Sequence, residues 1–395
     1  MQYVNTACHD APISQGGPGG EAPWHEIFFP NTSQSPTIHH CGYHTAMIQH
    51  HELIAEHHLL DRPTQTATDM GFRMPAEWEP HDGVWVSEPH NANTWPAETL
   101  VKAQKEFAYF LKKLSEHTPP LRCADYGIKT DDSWIRDYGP VFVIDDQGQR
   151  AVHDFRFNCW GTGYGPYDQD DLVPQQIARM LDIPVWVHHM VLEGGAIEVN
   201  GKGTVMTPQK CLTTATRNPY MTVEQAEVAL HQSLGTRHCL WTPHIHLAGD
   251  DTGGHIDTFC RFIAEDTIAA IRAPRSHPDH EHLEVLWDYL KTARDQDGNL
   301  FNLVELPVPD VMEYDYPDVF GVEPGVQRVP AGYANFLISN GGVFLPVYGQ
   351  DADDIACKVL EQAMPGYRIH PIPGQWLIIG MGSLHCMTQQ QPVTG

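Results

Sequence analysis

Hydrophobic and polar positions alternate along much of this chain in a recurring order: two short β-type runs, a Gly-containing turn and an amphipathic helix. The clearest unit pairs residues 196–199 with 204–207 across Asn200-Gly-Lys-Gly203 and continues into a helix that begins near Thr222 and ends at Gly235. Runs of period two joined by a Gly-rich turn are typical of β-hairpins, and Thr before a helix with Gly after it is typical of helix caps. This segment is therefore predicted to be a strand-turn-strand-helix unit.

Three further units show the same order. Their predicted strands and helices are 141–144, 151–157 and 170–182; two strands within 257–271 and a helix at 279–294; and 334–338, 343–347 and 352–364. A fifth unit would be completed from the two ends of the chain. It combines a strand at 83–86 and a helix at 98–114 with a strand at 376–379.

A single unit of this size cannot bury its apolar face alone, so the units are expected to stack around a common core. We predict an α/β fold in which five pseudo-symmetric ββα-type modules form a ring around a central pocket. The alternative is an ordinary mixed sheet divided into two lobes. A ring would bring the turns of every module to one pocket, and residues far apart between 134 and 386 could then act together.

Residues 1–70 differ in composition from the rest of the chain. They contain a Gly/Pro-rich stretch at 15–23 and nine of the 25 histidines. We interpret them as an N-terminal extension to a single catalytic domain at 71–395, although a start near Met70 is also compatible with the sequence. No zinc-type spacing is present in this segment, so solvated histidines are favoured over a metal site formed by His39, His40, Cys41 and His44.

Charge and cysteine usage narrow the possible partners. The formal net charge is -26, which disfavours binding to nucleic acid or anionic membranes and suits a cationic small molecule. The nine cysteines include no C-x-x-C pair, and no run of 18 apolar residues occurs. We therefore expect a soluble, cytoplasmic protein without disulfides, and we expect neither a cofactor nor a metal.

Candidate chemical groups follow Gly-rich turns. Cys386 comes after a glycine-containing segment that ends an apolar run, and a cysteine there is a candidate nucleophile or a buried core residue. His255 and Asp257 are two residues apart after a glycine pair. On a strand this spacing places both side chains on one face, where one could move protons and the other could hold a cation.

Two more segments carry carboxylates at turns. Glu193 precedes two glycines and could orient a histidine, as the acid of a Cys/His/acid set does. Trp134 and Asp137 lie just before a Gly-Pro pair, and an aromatic ring beside a carboxylate could seat a planar cation. A structural ion pair of Arg136 with Asp137 is the alternative.

These residues fall within sequence blocks that resemble the agmatine deiminases and the related peptidylarginine-deiminase-like proteins. The order and spacing of the blocks agree with that family over about residues 71–392. The blocks are Gly71-Phe-Arg-Met-Pro-Ala-Glu-Trp-Glu-Pro-His81, Ser133-Trp-Ile-Arg-Asp-Tyr-Gly-Pro140, Phe157-Asn-Cys-Trp-Gly161, Leu192-Glu-Gly-Gly195, Arg217-Asn-Pro219, Gly254-His-Ile-Asp257, Tyr333-Ala-Asn-Phe336 and His385-Cys-Met-Thr-Gln-Gln-Gln-Pro392.

The resemblance implies the pentein fold, a propeller of five pseudo-repeats, and a homo-oligomer. It also implies a catalytic set with Cys386 as nucleophile, His255 as proton shuttle and Glu193 as the partner of that histidine, while Asp137 and Asp257 hold the guanidinium group. The expected reaction converts a guanidinium group to a ureido group and ammonia through a covalent thiouronium intermediate. Several carboxylates near the thiol should also raise the pKa of Cys386.

Other positions are expected to bind the rest of the substrate. Trp134, Trp160 and Gly382 would line the pocket, and Asp250, Asp251 and Glu88 would meet a second positive charge such as the ammonium of agmatine. Glu88 stands where the family has an aromatic residue, Gly253 where it has Asp, and residues 380–384 replace a Gly-Gly-Gly-Asn-Ile run.

Agmatine, with N-carbamoylputrescine as product, is the leading substrate in this interpretation. Because of the departures just described, three alternatives stay open. The chain could act on arginine or a modified arginine, it could transfer the amidino group to an amine, or it could be a binding or metal-sensing protein that uses the His-rich extension.

Overall fold

The computed structural model describes residues 65–161, 165–245, 247–318 and 323–395. The extension predicted at 1–70, including the four residues considered as metal ligands, lies outside these ranges except for its last six residues. Within those six, Ala67 is buried, and Thr68 donates backbone and hydroxyl hydrogen bonds to the carbonyl groups of Gln232 and His231. The packed part of the chain therefore already includes residues 67 and 68.

The described residues form seventeen strands. They are β1 (His81–Val86), β2 (Pro120–Arg122), β3 (Val141–Ile144), β4 (Arg150–Arg156), β5 (Val185–Val191), β6 (Glu198–Val199), β7 (Thr204–Pro208), β8 (His238–Thr242), β9 (Cys260–Ala264), β10 (Thr267–Ile271), β11 (Asn302–Leu306), β12 (Glu313–Tyr316), β13 (Gly325–Arg328), β14 (Leu337–Ser339), β15 (Gly342–Val347), β16 (Arg368–Pro373) and β17 (Thr388–Pro392).

Five sheets of three strands share one construction. In each, the central strand pairs antiparallel with one neighbour and parallel with the other. The strand orders are β17-β1-β2, β3-β4-β5, β6-β7-β8, β9-β10-β11 and β14-β15-β16, and β12 with β13 forms a separate two-stranded sheet. The repeated unit therefore has a third, parallel strand that the alternating pattern did not predict.

Helices connect each central strand to its parallel neighbour, as a parallel crossover requires. The α-helices are α1 (Thr99–Leu114), α2 (Ile135–Tyr138), α3 (Val173–Leu181), α4 (Gln209–Thr213), α5 (Val223–Leu234), α6 (His280–Leu290) and α7 (Asp351–Ala363). All but the four-residue α2 lie in such a crossover. The fold is thus mixed α/β with five repeated strand-strand-helix-strand units.

Helix α5 illustrates why the sequence folds locally as predicted. Thr222 and Gln225 form a reciprocal capping box that satisfies free backbone N–H groups at the helix start. Gly235 ends the helix with φ 67°, a left-handed conformation that glycine adopts without steric strain. Ala226 and Leu230, four residues apart, form the buried face.

The two ends of the chain meet in one sheet, because Val84 of β1 lies opposite Gln390 of β17. This pairing confirms that the first and last segments complete a unit together. The predicted strand at 376–379 is wrong, since Leu377–Gly380 is a 3₁₀ helix. An apolar run of this length does not distinguish a buried strand from a buried helical turn, and here Glu106 accepts the N–H groups of Trp376 and Leu377 where the turn begins.

The strand that pairs with β1 is instead the polar sequence Thr388–Pro392, which is buried throughout. The Trp85 indole N–H donates to Gln391 at 2.9 Å, whereas Oε1 of Gln389 and of Gln390 has no hydrogen-bond partner among the described residues. Hydrogen bonding of this kind offsets the cost of burying amide groups. Sequence patterning missed the strand because a Gln-rich segment does not look like a core element.

Hydrophobic residues of the described part form two buried clusters, a large one and a smaller one. The large cluster includes Trp85, Trp134 and Cys386, and the smaller one packs residues of β3, β4 and β7 against α5. The candidate nucleophile therefore lies at the margin of the main core. No helix in the described residues is long and apolar enough to cross a membrane.

Candidate active site

Cys386 lies between the 3₁₀ helix Leu377–Gly380 and β17, not at the end of a strand as predicted. The side chain of Asn335 holds it: Nδ2 donates to Sγ at 3.1 Å, and Oδ1 accepts the backbone N–H groups of Cys386 and His385 at 3.3 and 3.1 Å. The thiol also lies 3.6 Å from Oδ2 of Asp257. Asn335 therefore fixes both the sulfur atom and the backbone of this segment.

His255 is fully buried and lies between two carboxylates. Its Nδ1 is 3.6 Å from Asp137 Oδ1 and its Nε2 is 3.9 Å from Glu193 Oε2. Burial opposes protonation of the ring, but Asp137 and Glu193 outweigh it and raise the pKa of His255 to about 9. At neutral pH the ring is therefore an imidazolium that can donate a proton.

Glu193 is buried immediately before a short 3₁₀ helix, and Arg217 anchors it. Arg217 Nε donates to Glu193 Oε1 at 2.7 Å, and the same guanidinium group donates to the carbonyl of Thr252 at 2.5 Å. Burial alone would raise the pKa of Glu193, but His255 and Arg217 together lower it. The carboxylate thus stays ionised beside the histidine that it was predicted to orient.

Asp137 is in α2, with its two carboxylate oxygens held by different donors. Oδ1 accepts the backbone N–H of Gly195, and Oδ2 accepts the indole N–H of Trp160, both at 2.9 Å. Trp160 therefore touches the site through a predicted catalytic residue. The alternative pairing of Arg136 with Asp137 is not what the structure shows, since the Arg136 guanidinium lies 3.8 Å from Glu77.

Asp257 does not lie on a strand with His255 as predicted; both belong to a segment that enters the 3₁₀ helix Ile256–Thr258. The structure nevertheless brings them together. Oδ2 of Asp257 is 2.8 Å from Nδ1 of His385, whereas Oδ1 is buried and has no hydrogen-bond partner in the part of the chain that the structure describes. An unpaired buried carboxylate oxygen is energetically unfavourable unless a ligand completes it, so this atom points to a cationic ligand.

Gly195 marks the centre of the site. A Cβ atom at this position would lie 2.7 Å from Asp137 Oδ1, 2.7 Å from His255 Nδ1 and 3.1 Å from Asp257 Oδ2. Polar atoms of three side chains, from the segment of Asp137 and from the segment of His255 and Asp257, therefore lie close to the backbone of a residue that has no side chain. The absence of a Cβ atom lets these side chains approach the backbone at 195 this closely.

The predicted pocket residues Trp134 and Gly382 lie against each other. A Cβ atom at 382 would meet the Trp134 ring at 2.4 Å, and the ring also packs against Trp95 with centroids 5.2 Å apart. Trp134 is buried. Gly382 thus makes room for this indole, and its role in lining a substrate pocket stays a prediction.

The three acidic residues predicted to meet a second positive charge have different surroundings. Asp250 accepts hydrogen bonds from the backbone and hydroxyl of Thr252, and half-buried Asp251 has its pKa raised to about 7 by burial and by Asp250. The Glu88 carboxylate pairs with Arg122 at 2.6 Å at a partly exposed position. Arg122 therefore already neutralises the Glu88 carboxylate, and a contact of Glu88 with substrate stays a prediction.

The Cys386 thiol is surrounded by acidic groups, as the sequence suggested. Burial raises its pKa well above the ordinary value, and Asp257 and Asp137 raise it further, while hydrogen bonds from Ser383 and Asn335 act in the opposite direction. The thiol is therefore protonated in the free protein at neutral pH. A bound cation would counteract the carboxylates and favour the thiolate.

A second buried cluster lies beside the thiol. In the described residues, Glu77, Glu198 and His385 are the one group whose ligand-type atoms come close enough to hold a metal ion. Arg261 already donates to both Glu77 and Glu198. Its permanent positive charge occupies the place that a metal would take, so these residues do not fit a metal centre.

Sequence reasoning assigned no role to several groups that the structure brings to the site. Arg217 and Asn335 belong to sequence blocks noted above, and Glu77 and His385 do as well, but a block does not say which atom a side chain contacts. These residues could have been identified in the sequence as charged or amide residues that adjoin a candidate catalytic residue or a glycine turn. His385 directly precedes Cys386, and this position was visible in the sequence.

Comparison with known proteins gives a consistent picture. The family model of the Porphyromonas-type peptidyl-arginine deiminases matches residues 73–392. The agmatine deiminase of Pseudomonas aeruginosa (strain LESB58) is 32% identical over 84% of this chain and 99% of its own length. That of Pseudomonas putida (strain F1) is 33% identical over 82% of this chain and 96% of its own length.

Solved structures show the same likeness. The agmatine deiminase of Enterococcus faecalis superposes with a TM-score of 0.77 at 31% identity, covering 84% of this chain and 98% of that one. A C. jejuni agmatine deiminase gives a TM-score of 0.71 at 26% identity, covering 82% and 97%. The similarity thus extends over nearly the whole described region.

Proposed function

The chain belongs to the Porphyromonas-type peptidyl-arginine deiminase family, and from this premise we propose that it is a cysteine-dependent hydrolase of guanidinium compounds. The reaction converts a guanidinium group and water to a ureido group and ammonia. Agmatine is the leading substrate, because relatives that match this chain over almost their full length are named agmatine deiminases. Its product would be N-carbamoylputrescine.

One observation carries the proposal. The imidazolium of His255 and the carboxylates of Asp137 and Asp257 converge beside Gly195, and the Cys386 thiol lies 3.6 Å from Asp257 Oδ2. A guanidinium group is planar and charged and presents a fork of N–H donors, which two carboxylates can match with charge-assisted hydrogen bonds. The unpaired Oδ1 of Asp257 supplies one such acceptor.

The first half of the reaction uses the protonated histidine. The bound guanidinium cation favours loss of the Cys386 proton to solvent. The thiolate then attacks the guanidinium carbon and forms a C–S bond. His255 donates its proton to a departing nitrogen, the C–N bond breaks and ammonia leaves. A positively charged thiouronium group remains on the sulfur between Asp137 and Asp257.

The second half uses the histidine as a base. Neutral His255 takes a proton from water as the oxygen adds to the thiouronium carbon. The C–S bond then breaks, the ureido carbonyl forms, and the remaining hydroxyl proton returns the sulfur to the thiol. Glu193 stabilises the imidazolium whenever the His255 ring is protonated. This is the usual role of the acid in a nucleophile-histidine-acid set.

Recognition of the substrate tail is proposed for the segment Asp250–Asp251. These carboxylates suit an ammonium group such as that of agmatine, and the pKa of about 7 for Asp251 would fall when a cation binds. The five repeated units suggest how the whole site is assembled. We propose that they form a five-bladed pentein propeller with the guanidinium site at its centre, and that the protein is a cytoplasmic homo-oligomer.

Ammonia release from a panel of guanidines tests the proposed function. We expect turnover of agmatine, with N-carbamoylputrescine identified by mass spectrometry, and slower turnover of arginine and N-acetylarginine. Adding an acceptor amine should produce no new guanidine; if it does, the chain is an amidinotransferase. Failure of the folded protein to release ammonia from any member of the panel would refute hydrolysis.

The pH dependence of kcat/KM should be that of an enzyme whose two reacting groups are both protonated at neutral pH. The thiol must lose a proton before attack, and the pKa of Cys386 is raised, so kcat/KM should rise about tenfold per pH unit from pH 6 to 8. Above the His255 pKa of about 9 the imidazolium is lost about tenfold per pH unit, which cancels the continuing gain in thiolate, so kcat/KM should level off there. A profile that is flat between pH 6 and 8 would contradict these protonation states.

A further inference from the structure

The residue before the nucleophile connects two buried carboxylates. Nδ1 of His385 is 2.8 Å from Oδ2 of Asp257, and Nε2 is 2.8 Å from Oε2 of Glu77. The ring is almost completely inaccessible to solvent. His385 therefore forms a bridge from the guanidinium-binding carboxylate Asp257 to a residue far away in the sequence.

The hydrogen-bond partners determine the protonation state of the ring. Burial would raise the pKa of Glu77, but Arg261, His385 and Arg136 hold it well below the ordinary value. For Asp257, likewise, His385 and His255 outweigh burial and lower the pKa. An ionised carboxylate only accepts hydrogen bonds, so both ring nitrogens must donate and His385 is an imidazolium.

Counting charges in the cluster supports this state. The cluster contains three carboxylates, those of Glu77, Glu198 and Asp257, against the guanidinium groups of Arg136 and Arg261. An imidazolium at His385 makes the six groups neutral, whereas a neutral ring would leave an uncompensated negative charge in the core. Buried charges are tolerated when they are paired and hydrogen-bonded.

The bridge divides the two oxygens of Asp257. Oδ2 is engaged by His385 and by the Cys386 thiol, while Oδ1 has no partner among the described residues. A partial rotation that turned the plane of the carboxylate would break the contact with His385. The ring thus holds the carboxylate in an orientation that leaves Oδ1 available.

We propose that His385 is a positioning residue: its imidazolium, anchored by Glu77, fixes the orientation and the negative charge of Asp257 so that Oδ1 accepts the substrate guanidinium. This inference rests on the proposed function and adds to it the group that prepares the binding carboxylate. His385 acts through Asp257 and does not itself touch the substrate.

Two variants separate this role from simple packing. The amide nitrogen of Asn can take the position of Nδ1, and that of Gln can take the position of Nε2. His385→Asn therefore keeps the bond to Asp257 and loses that to Glu77, whereas His385→Gln keeps the bond to Glu77 and loses that to Asp257. His153→Gln is the matched control. His153, in β4, is also buried, and its ring is hydrogen-bonded to the side chain of His188.

The first experiment measures kcat and KM for agmatine from pH 5 to 9, with thermal unfolding of each variant. We expect His385→Gln to lower kcat/KM about 100-fold. His385→Asn should lower it by about tenfold or less. The acid limb of the pH profile should move to higher pH in His385→Gln, because His385 no longer lowers the pKa of Asp257. The groups that still face Asp257 are the cations His255 and Arg261 and the acidic Asp137 and Cys386. The control should retain wild-type kinetics.

The second experiment needs no turnover. Alkylation of Cys386 by iodoacetamide is followed against pH by peptide mass spectrometry. In His385→Gln the uncompensated charge of Asp257 should raise the pH midpoint of alkylation, and in an Asp257→Asn background the same substitution should have no further effect. This non-additivity identifies action through Asp257.

The outcomes distinguish the two proposals. Equal kinetic losses in His385→Asn and His385→Gln, or an alkylation shift that persists in Asp257→Asn, would overturn the positioning role. The alkylation experiment could show that His385 acts through Asp257 while the wild-type protein turns over no guanidine. In that case the inference on His385 stands and the proposed function fails. If the Gln variant does not fold, the Asn variant still decides, since loss of activity in that variant contradicts a role through Asp257.

Discussion

Replacing Cys386 by alanine is expected to lower kcat by at least about 10⁴-fold, because it removes the nucleophile proposed to form the covalent bond to the guanidinium carbon. Around Sγ the described structure supplies Asn335 and Asp257, and neither is a nucleophile of comparable strength. The measurement is ammonia release from agmatine under saturating conditions. Substrate binding should persist in this variant, since the carboxylates that hold the cation remain, and calorimetry can measure it.

Cys123→Ala is the matched control for this experiment, because Cys123 is also buried and burial likewise raises the pKa of its thiol, to about 12. Cys386→Ser adds a second comparison, since it keeps the shape of the side chain and weakens only the nucleophile. Cys386→Ala activity within tenfold of the wild type would mean that another residue attacks, or that hydrolysis proceeds without a covalent intermediate.

Substituting Gly195 by alanine should have the second largest effect, a loss of about 10³-fold in kcat/KM, although only one methyl group is added. The new Cβ would lie 2.7 Å from Asp137 Oδ1 and from His255 Nδ1. It would collide with both groups and displace them from the positions in which they are proposed to act on the guanidinium. Misplacement of reacting groups by about 1 Å can cost about 100-fold in rate, and exclusion of the substrate adds to that loss.

Gly332→Ala provides the control. A Cβ at 332 would be 3.5 Å from the nearest atom, the carbonyl oxygen of Thr258, which is ordinary van der Waals contact. Kinetics and thermal unfolding of the two variants should therefore differ: Gly195→Ala folds but loses activity, and Gly332→Ala retains both. Wild-type kcat/KM in Gly195→Ala would show that substrate binds elsewhere.

Much of the repeated architecture was predictable because it depends on local rules. The hairpin at residues 198–208 and the capped helix α5 follow from alternation, a Gly-containing turn and capping residues. The parallel third strands were not predicted; β5, for example, reads Val-Trp-Val-His-His-Met-Val and is only partly buried over most of its length. Pairing with β4 is what makes this segment a strand, and such a contact between distant segments has no local signal.

The candidate site shows the same division. Cys386, His255, Glu193, Asp137 and Asp257 were identified as residue types that suit guanidinium chemistry, and the structure brings their side chains together. Their local conformations were predicted less well, since His255 and Asp257 adjoin a 3₁₀ helix where a strand was expected. Glu88 looked equally suitable in the sequence, but its charge is neutralised by Arg122, a partner that cannot be read from residue order.

The sequence by itself determined the chemistry that this protein can carry: the thiol, the histidine and the carboxylates, their order along the chain, and the repeated units that could bring them together. Only the tertiary structure decided which atom of each group is engaged and which is free. The Cys386 thiol, found in the sequence as one cysteine among nine, is distinguished by Asn335 at its sulfur, by Asp257 beside it and by the bridge through His385. Protonation states and unpaired atoms depend on distances between residues hundreds of positions apart, and those distances exist only once the chain has folded.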